Sequence, residues 1–228
     1  ITVGPDQYAG FLGAPILARD DMDTTWAEPI VDDWSSFEVR IDRSPGGYFE
    51  SIRRYMTAAA EYSRDKFLIQ MLDLHGNMDA LSALRGPQNL CMDLYDCKGE
   101  VHRVLGDVRN TYAEIVDMAY TAGDMAKRGS IGWSPTYCGA GRFAVILCDF
   151  ICMISPEKAR EFVIPAIEEE AAFLDHSVFH LDGKGALAHL DDILAINDID
   201  VIQWVPGNGQ PRSPYWMDLL KRIQKAGK

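Results

Sequence analysis

The residues best suited to chemistry stand at the ends of short apolar stretches of the chain. His180 and Asp182 are the clearest example, because residues two apart in a strand point to the same face. An imidazole beside a carboxylate can act as a general acid and base, and it can bind a divalent metal such as zinc when the imidazole is neutral. We therefore predict both residues as catalytic residues and as metal ligands. The structural alternative is a buried hydrogen-bonded pair that only ties a strand to its loop.

Other polar side chains follow other apolar stretches. Asp73 and Asp149 each come close behind such a stretch, and we add both to the predicted catalytic residues. The predicted substrate-binding residues are His75, Trp133, Tyr137, Gln203 and Trp204. Asp and Gly are also ordinary turn residues after a strand. A chemical role therefore requires that these strand ends meet in space.

Alternating strands and helices would bring the strand ends together. Apolar runs typical of strands in a parallel sheet cover 67–72, 143–147, 177–181 and 200–205. Helical periodicity covers 48–64, 97–128, 156–174, 186–195 and 215–226. This order predicts an α/β fold, a (β/α)8 TIM barrel, in which the carboxyl ends of all strands meet at one face.

The helix at 156–174 carries two features besides its apolar stripe. Pro165 lies inside it and predicts a kink, because proline cannot donate the helical hydrogen bond. The run Glu168, Glu169 and Glu170 predicts a solvated helix face.

Length and composition favour one barrel domain over residues 1–228. Residues 1–47 would be a loop-rich cap or an early unit, and 48–228 would form the βα units. A complete barrel usually needs about 250 residues, whereas this chain has 228 and stops after a helix, where the next strand would begin. We therefore expect a fragment that lacks N- and C-terminal units. Its open sheet edges would favour a homo-oligomer.

Charge and cysteine usage exclude several classes of partner. The net charge of −12 disfavours nucleic-acid binding. Five cysteines without a CxxC pattern favour a reduced, cytoplasmic protein. The chain has no signal peptide and no apolar run of 18 residues, so we expect no membrane association. The expected ligand is a small-molecule substrate.

Four stretches of the sequence resemble a known family. They are FLIQMLDLHGNMDALSALRG (67–86), CDFICMISPEKAREFVIPAI (148–167), VFHLDGKGALAHLDDILAINDIDVIQWVPGNG (178–209) and WMDLLKRIQKAGK (216–228). Together they resemble the uroporphyrinogen decarboxylase superfamily. That superfamily also includes methyltransferases that move methyl groups to or from corrinoid proteins and thiols.

The resemblance implies a TIM barrel and, in the methyltransferase branch, methyl transfer between a small methylated substrate and a corrinoid or thiol acceptor. The corrinoid would be a co-substrate carried by a separate partner protein. That branch holds a zinc with a His-x-Cys pair, and here His180 matches the histidine while Asp182 stands in place of the cysteine. Thiolate is the softer ligand for zinc, so the departure weakens the case for thiol activation.

Two alternatives to methyl transfer remain. The first is a lyase, a cofactor-independent decarboxylase of a small carboxylate, in which Asp149 stands where the decarboxylase branch has a serine. An added carboxylate would repel a substrate with many carboxylates, so decarboxylation of uroporphyrinogen itself is disfavoured. The second alternative is a non-catalytic barrel that only binds a ligand.

Overall fold

The structure, a computed structural model, describes residues 4–18, 24–64, 66–134 and 136–228. Within these ranges the helices are α1 (Gln7–Phe11), α2 (Tyr48–Ser63), α3 (Asn77–Arg85), α4 (Pro87–Asp96), α5 (Lys98–Ala122), α6 (Met125–Arg128), α7 (Pro156–Lys158), α8 (Ile164–Phe173), α9 (Gly183–Ala186), α10 (Leu190–Leu194) and α11 (Met217–Lys225). The strands are β1 (Ile16–Ala18), β2 (Thr25–Ala27), β3 (Ser130–Ile131), β4 (Tyr137–Cys138), β5 (Phe143–Ile146), β6 (His176–Asp182) and β7 (Val201–Val205). Single 3-10 turns cover Trp34–Ser36, Asp149–Met153, Leu187–His189 and Ser213–Trp216.

A parallel sheet of three strands, in the order β5–β6–β7, confirms the predicted α/β class. Its register pairs His180 with Gln203 and Asp182 with Val205. The antiparallel pairs β1–β2 and β3–β4 lie outside this sheet. Because β5, β6 and β7 are parallel, their carboxyl ends lie along one edge, and the predicted site residues follow those ends.

The predicted strand at 67–72 forms only in part. Gln70 makes one parallel bridge with Ile131, and the N–H of Met71 donates to the carbonyl of Ile131 at 2.8 Å. Phe67 and Leu68 are exposed rather than buried. The partner strand β3 has two residues before the chain turns to pair with β4, so it offers too few groups for a longer ladder.

The predicted helices at 48–64 and 97–128 are confirmed. Helix α2 covers the first, and α5 with α6 covers the second, with a break at Gly123 and Asp124. Asp124 adopts a left-handed conformation there, with a φ angle of 53°. The apolar stripe of α5 is buried against α2 and α3, as its periodicity requires.

The segment from Pro156 to Phe173 is a helix with a turn of π-helix, Ala159–Val163, between α7 and α8. Ser155 caps its start by accepting from the N–H of Lys158. The fold thus accommodates Pro165, which has no N–H to give, next to a π turn. The prediction of a solvated glutamate face is wrong for Glu170, which is only 3% exposed.

The two faces of β6 meet different surroundings. Phe179 belongs to the main hydrophobic core, together with side chains of the surrounding helices. Val178 and His180 point to the other face, because neighbours in a strand alternate. Trp133, in the loop between β3 and β4, packs against the small cluster that contains Val178 and meets the ring of His180 edge-on.

The first part of the chain, predicted to be loop-rich, contains α1, β1 and β2. Tyr8, Phe11 and Trp34 from this part are buried in the main core. All five cysteines, each within the described ranges, are free. Among the described residues, none of the helices has the length and apolar character that crossing a bilayer requires.

Candidate functional site

Four side chains, Asp73, His75, Asp79 and Asp149, form what we call the carboxylate–imidazole cluster. Nδ1 of His75 lies 3.1 Å from Oδ2 of Asp79 and 3.9 Å from Oδ2 of Asp149. Nε2 of the same ring lies 3.6 Å from Oδ1 of Asp73, a buried oxygen with no hydrogen-bond partner in the part of the chain that the structure describes. His75 and Asp79 are buried, whereas Asp149 reaches solvent. The cluster is therefore a buried imidazole among three carboxylates, one of which is accessible.

The local chain explains why these four residues meet. Asp73 and His75 follow the extended segment that bridges to β3, and Asp79 lies in the first turn of α3. Asp79 accepts hydrogen bonds from the backbone N–H of Asp149 at 2.9 Å and of Phe150 at 2.8 Å. It thereby caps the 3-10 turn that follows β5. One buried carboxylate thus joins the ends of two strand segments.

Within the cluster, His75 and Asp79 form a charged pair. Burial opposes protonation of His75, but Asp73 and Asp79 outweigh it and raise its pKa to about 10. Burial also favours the neutral form of Asp79, but the hydrogen bond and charge of His75 and the two backbone donors lower its pKa overall. At neutral pH His75 is therefore an imidazolium held by ionised Asp79.

Asp149 connects this cluster to the predicted His180–Asp182 pair. Its pKa is raised, first by loss of hydration and then by the charge of Asp79, while His75 opposes the rise. Asp182 raises the pKa of Asp149 further and His180 lowers it. The thiol of Cys152, in the 3-10 turn that begins at Asp149, lies 3.7 Å from the carbonyl oxygen of Asp182, so the chain segments that follow β5 and end β6 are in contact.

His180 is held by its neighbours on both sides. Its Nδ1 lies 2.6 Å from Oε1 of Gln203 on the adjacent strand, and the edge-on ring of Trp133 is 4.7 Å away between centroids. With the Gln203 oxygen as acceptor, Nδ1 carries the proton. A neutral His180 then has its free lone pair on Nε2, which lies 4.0 Å from Oδ2 of Asp182.

Seven of the predicted site residues therefore lie together at this edge of the fold: Asp73, His75, Trp133, Asp149, His180, Asp182 and Gln203. Two do not. Trp204 is buried in the main core and packs against Trp216, because it alternates with Gln203 along β7. Tyr137 is exposed and lies over Gly129, the residue before β3, at the opposite end of that strand from Trp133.

Sequence reasoning missed two polar residues of this region, Asp79 and Glu170. The sequence signal for Asp79 was its place in the first turn of a short helix that starts just after His75. The signal for Glu170 was its register. It takes a position within the apolar stripe that runs through Ile167 and Leu174, where a surface residue would not fall.

The arrangement with metal-ligand spacing differs from the predicted pair. Among the described residues, one ligand atom each from His75, Asp79 and Asp149 lie within 4.8 Å of one another. The predicted metal ligands, His180 and Asp182, are not part of this group. One nitrogen and two oxygens suit a divalent cation that prefers hard or borderline ligands, and the set lacks the thiolate of a thiol-activating zinc. A cation would also have to displace the proton on His75.

No protein-family model, curated protein or solved structure matches this chain. The geometry of the site is therefore the basis on which a function is inferred.

Proposed function

We propose that this chain is a uroporphyrinogen-decarboxylase-like enzyme that transfers a methyl group between a small methylated substrate and a corrinoid or thiol acceptor. One observation carries the proposal. Carboxylates and imidazoles from segments more than 70 residues apart in sequence converge at the carboxyl ends of parallel strand segments, with Asp149 as the link. Active sites of (β/α)8 barrels are built at this position.

The parallel arrangement supports a barrel in which the parallel segments are consecutive members. The extended segment at 69–74, β3, β5, β6 and β7 follow one another with helices between most of them. We propose that the sheet β5–β6–β7 is one arc of this barrel, with Trp133 across its inner face.

The charge of the site favours a methylated ammonium as the substrate. Three carboxylates surround one imidazolium in the cluster, and Asp182 adds a further negative charge nearby. Asp149 is the accessible carboxylate and would hold the ammonium, while the ring of Trp133 offers a cation–π contact. The same negative charge disfavours a carboxylate substrate, so methyl transfer is favoured over decarboxylation.

The proposed step needs little from the protein beyond orientation and charge. The methyl carbon leaves the ammonium nitrogen without the electron pair of that bond and forms a bond to the nucleophilic acceptor. The amine then departs as a neutral molecule. Nε2 of His180 would orient the substrate by accepting a hydrogen bond from an N–H of the ammonium, since Gln203 fixes the ring with Nε2 free, and no proton moves in the step. A divalent cation held by His75, Asp79 and Asp149 would add positive charge to the site, and the step does not depend on it.

The test is methyl transfer to cob(I)alamin from a panel of methylated amines and methylated thiols, followed by the loss of cob(I)alamin absorbance. We expect turnover with at least one amine. Asp149→Asn should lower the rate about 100-fold, whereas Asp198→Asn, which changes an exposed aspartate after α10, should not change it. A folded protein that turns over no member of the panel would refute the proposal.

A further inference from the structure

Glu170 is a buried carboxyl group directly behind the carboxylate–imidazole cluster. It lies on α8, only 3% exposed, and both its oxygens are 3.2 Å from Nδ2 of Asn77. The same Nδ2 is 3.1 Å from the carbonyl oxygen of Leu147, at the end of β5. One side-chain amide therefore joins three segments: α8, the start of α3 and the chain that leads to Asp149.

The backbone conformation at Gly76 and Asn77 leaves room for the contact between Asn77 and Glu170. A Cβ atom on Gly76 would lie 2.7 Å from Oε1 of Glu170, so the carboxyl group occupies the space that a side chain would need. Asn77 adopts a φ angle of 44°, in the left-handed region that most side chains avoid. His75 immediately precedes these two residues, so their conformation fixes where its imidazole lies.

Glu170 forms no ion pair with any cation that the structure describes. Arg109 acts on it only from a distance and forms its ion pair with Glu169. Tyr8 on α1, Tyr112 on α5, Asp79 on α3 and Cys148 after β5 are close enough to interact with it electrostatically. Burial raises the pKa of Glu170 to about 8, with the Asn77 donor and Arg109 opposing and Asp79 adding to the rise. The group is therefore mainly a neutral acid at neutral pH.

We infer that Glu170 is a positioning residue: it holds the Asn77 amide between the start of α3 and the end of β5, and so fixes His75 relative to Asp149. It touches no atom that the proposed reaction would change. The importance of Glu170 for catalysis rests on the proposed function. Its positioning of His75 does not depend on that function. A neutral amide in its place should preserve the arrangement, because its oxygen accepts the same hydrogen bond from Asn77.

The test uses NMR signals of the Asn77 side-chain amide and the His75 ring in the whole chain, with no methyl donor present. In the wild type, the Asn77 signal should shift with pH, with a midpoint near 8. In Glu170→Gln that shift should vanish, while both signals keep their wild-type positions at about pH 6.5. In Glu170→Leu both signals should be displaced at every pH.

A second variant keeps the inference testable if Glu170→Leu fails to fold. Gly76→Ala adds a methyl group against Oε1 of Glu170 and should displace the His75 and Asn77 signals. Gly106→Ala is the matched control, because nothing lies within 4 Å of the added methyl group, and it should move neither signal. The inference is wrong if a folded Glu170→Leu leaves both signals in place, if Glu170→Gln displaces them at about pH 6.5, or if Gly76→Ala leaves the His75 ring unmoved. Each of these results is independent of whether the protein transfers methyl groups.

Discussion

Replacing His75 by glutamine should remove a large, pH-dependent part of the stability of this fold. The pKa of His75 is raised from 6.5 to about 10, so the folded protein holds a proton that the unfolded chain releases. The resulting stabilisation is complete below pH 6.5 and is lost as the pH rises towards 10. Between these limits the loss is about 1.4 kcal/mol per pH unit.

The contribution of His75 to stability can be measured apart from that of Glu170 within a restricted range of pH. The pKa of Glu170 is raised from 4.5 to about 8, so the stabilisation from its proton is complete below pH 4.5 and has been lost by about pH 8. Asp79, whose pKa is lowered, contributes stability that is lost only in acid. The buried thiol of Cys148, whose pKa is also raised, is common to the wild type and the variant. Between pH 8 and 9.5 the difference between the two proteins therefore reports on His75, and 1.5 pH units correspond to about 2 kcal/mol.

The assay is urea unfolding followed by circular dichroism at about pH 6.5, 8 and 9.5, with a chelator present. The wild type should be more stable than His75→Gln at the lowest pH, and the difference should shrink by about 2 kcal/mol between pH 8 and 9.5. His176→Gln, which changes an exposed histidine, is the control and should follow the wild type. A difference between wild type and His75→Gln that does not change with pH would refute the charged-pair description of the cluster.

Three further predictions concern neighbouring residues. Asp79→Asn should lower the free energy of unfolding by about 3 kcal/mol in urea titrations, because it leaves a buried imidazolium without its anionic partner; an effect no larger than that of Asp198→Asn would contradict this. His180→Ala should abolish methyl transfer in a protein that still unfolds cooperatively, and full activity in this variant would remove its proposed role. Mn²⁺ should raise the thermal midpoint of the wild type more at pH 8.5 than at pH 6.5, because it competes with the proton on His75, and it should not stabilise Asp149→Asn; equal stabilisation of both proteins would exclude Asp149 as a ligand.

The helices and the parallel sheet were predictable because each carries its own local pattern. The stripe of α5 has a period of 3.6 residues, and the apolar runs at β5 and β6 identify buried strands. The strand predicted at 67–72 forms only in part, because an apolar run does not specify the strand with which it pairs. Its extent as a strand depends on β3, which has only two residues before it pairs with β4.

The site was predictable to the extent that parallel strands bring their carboxyl ends together. Because side chains alternate along a strand, Gln203 and Trp204 cannot lie on the same face. Applied to the sequence, this rule predicts that Trp204 lies in the core when Gln203 lies at the site. The role of Asp79 was not accessible in this way, because an acid in the first turn of a helix is also typical of a surface position. Its contact with the chain after β5 is tertiary.

The most direct test of the central claim, that one site unites the ends of these strands, is the NMR spectrum of the histidine rings in Asp149→Asn. If Asp149 links the cluster to the His180–Asp182 pair, the ring signals of both His75 and His180 should shift, and those of the remote His102 and His176 should not. Movement of the His75 signal alone, with His180 unchanged, would show that the two groups do not share a site.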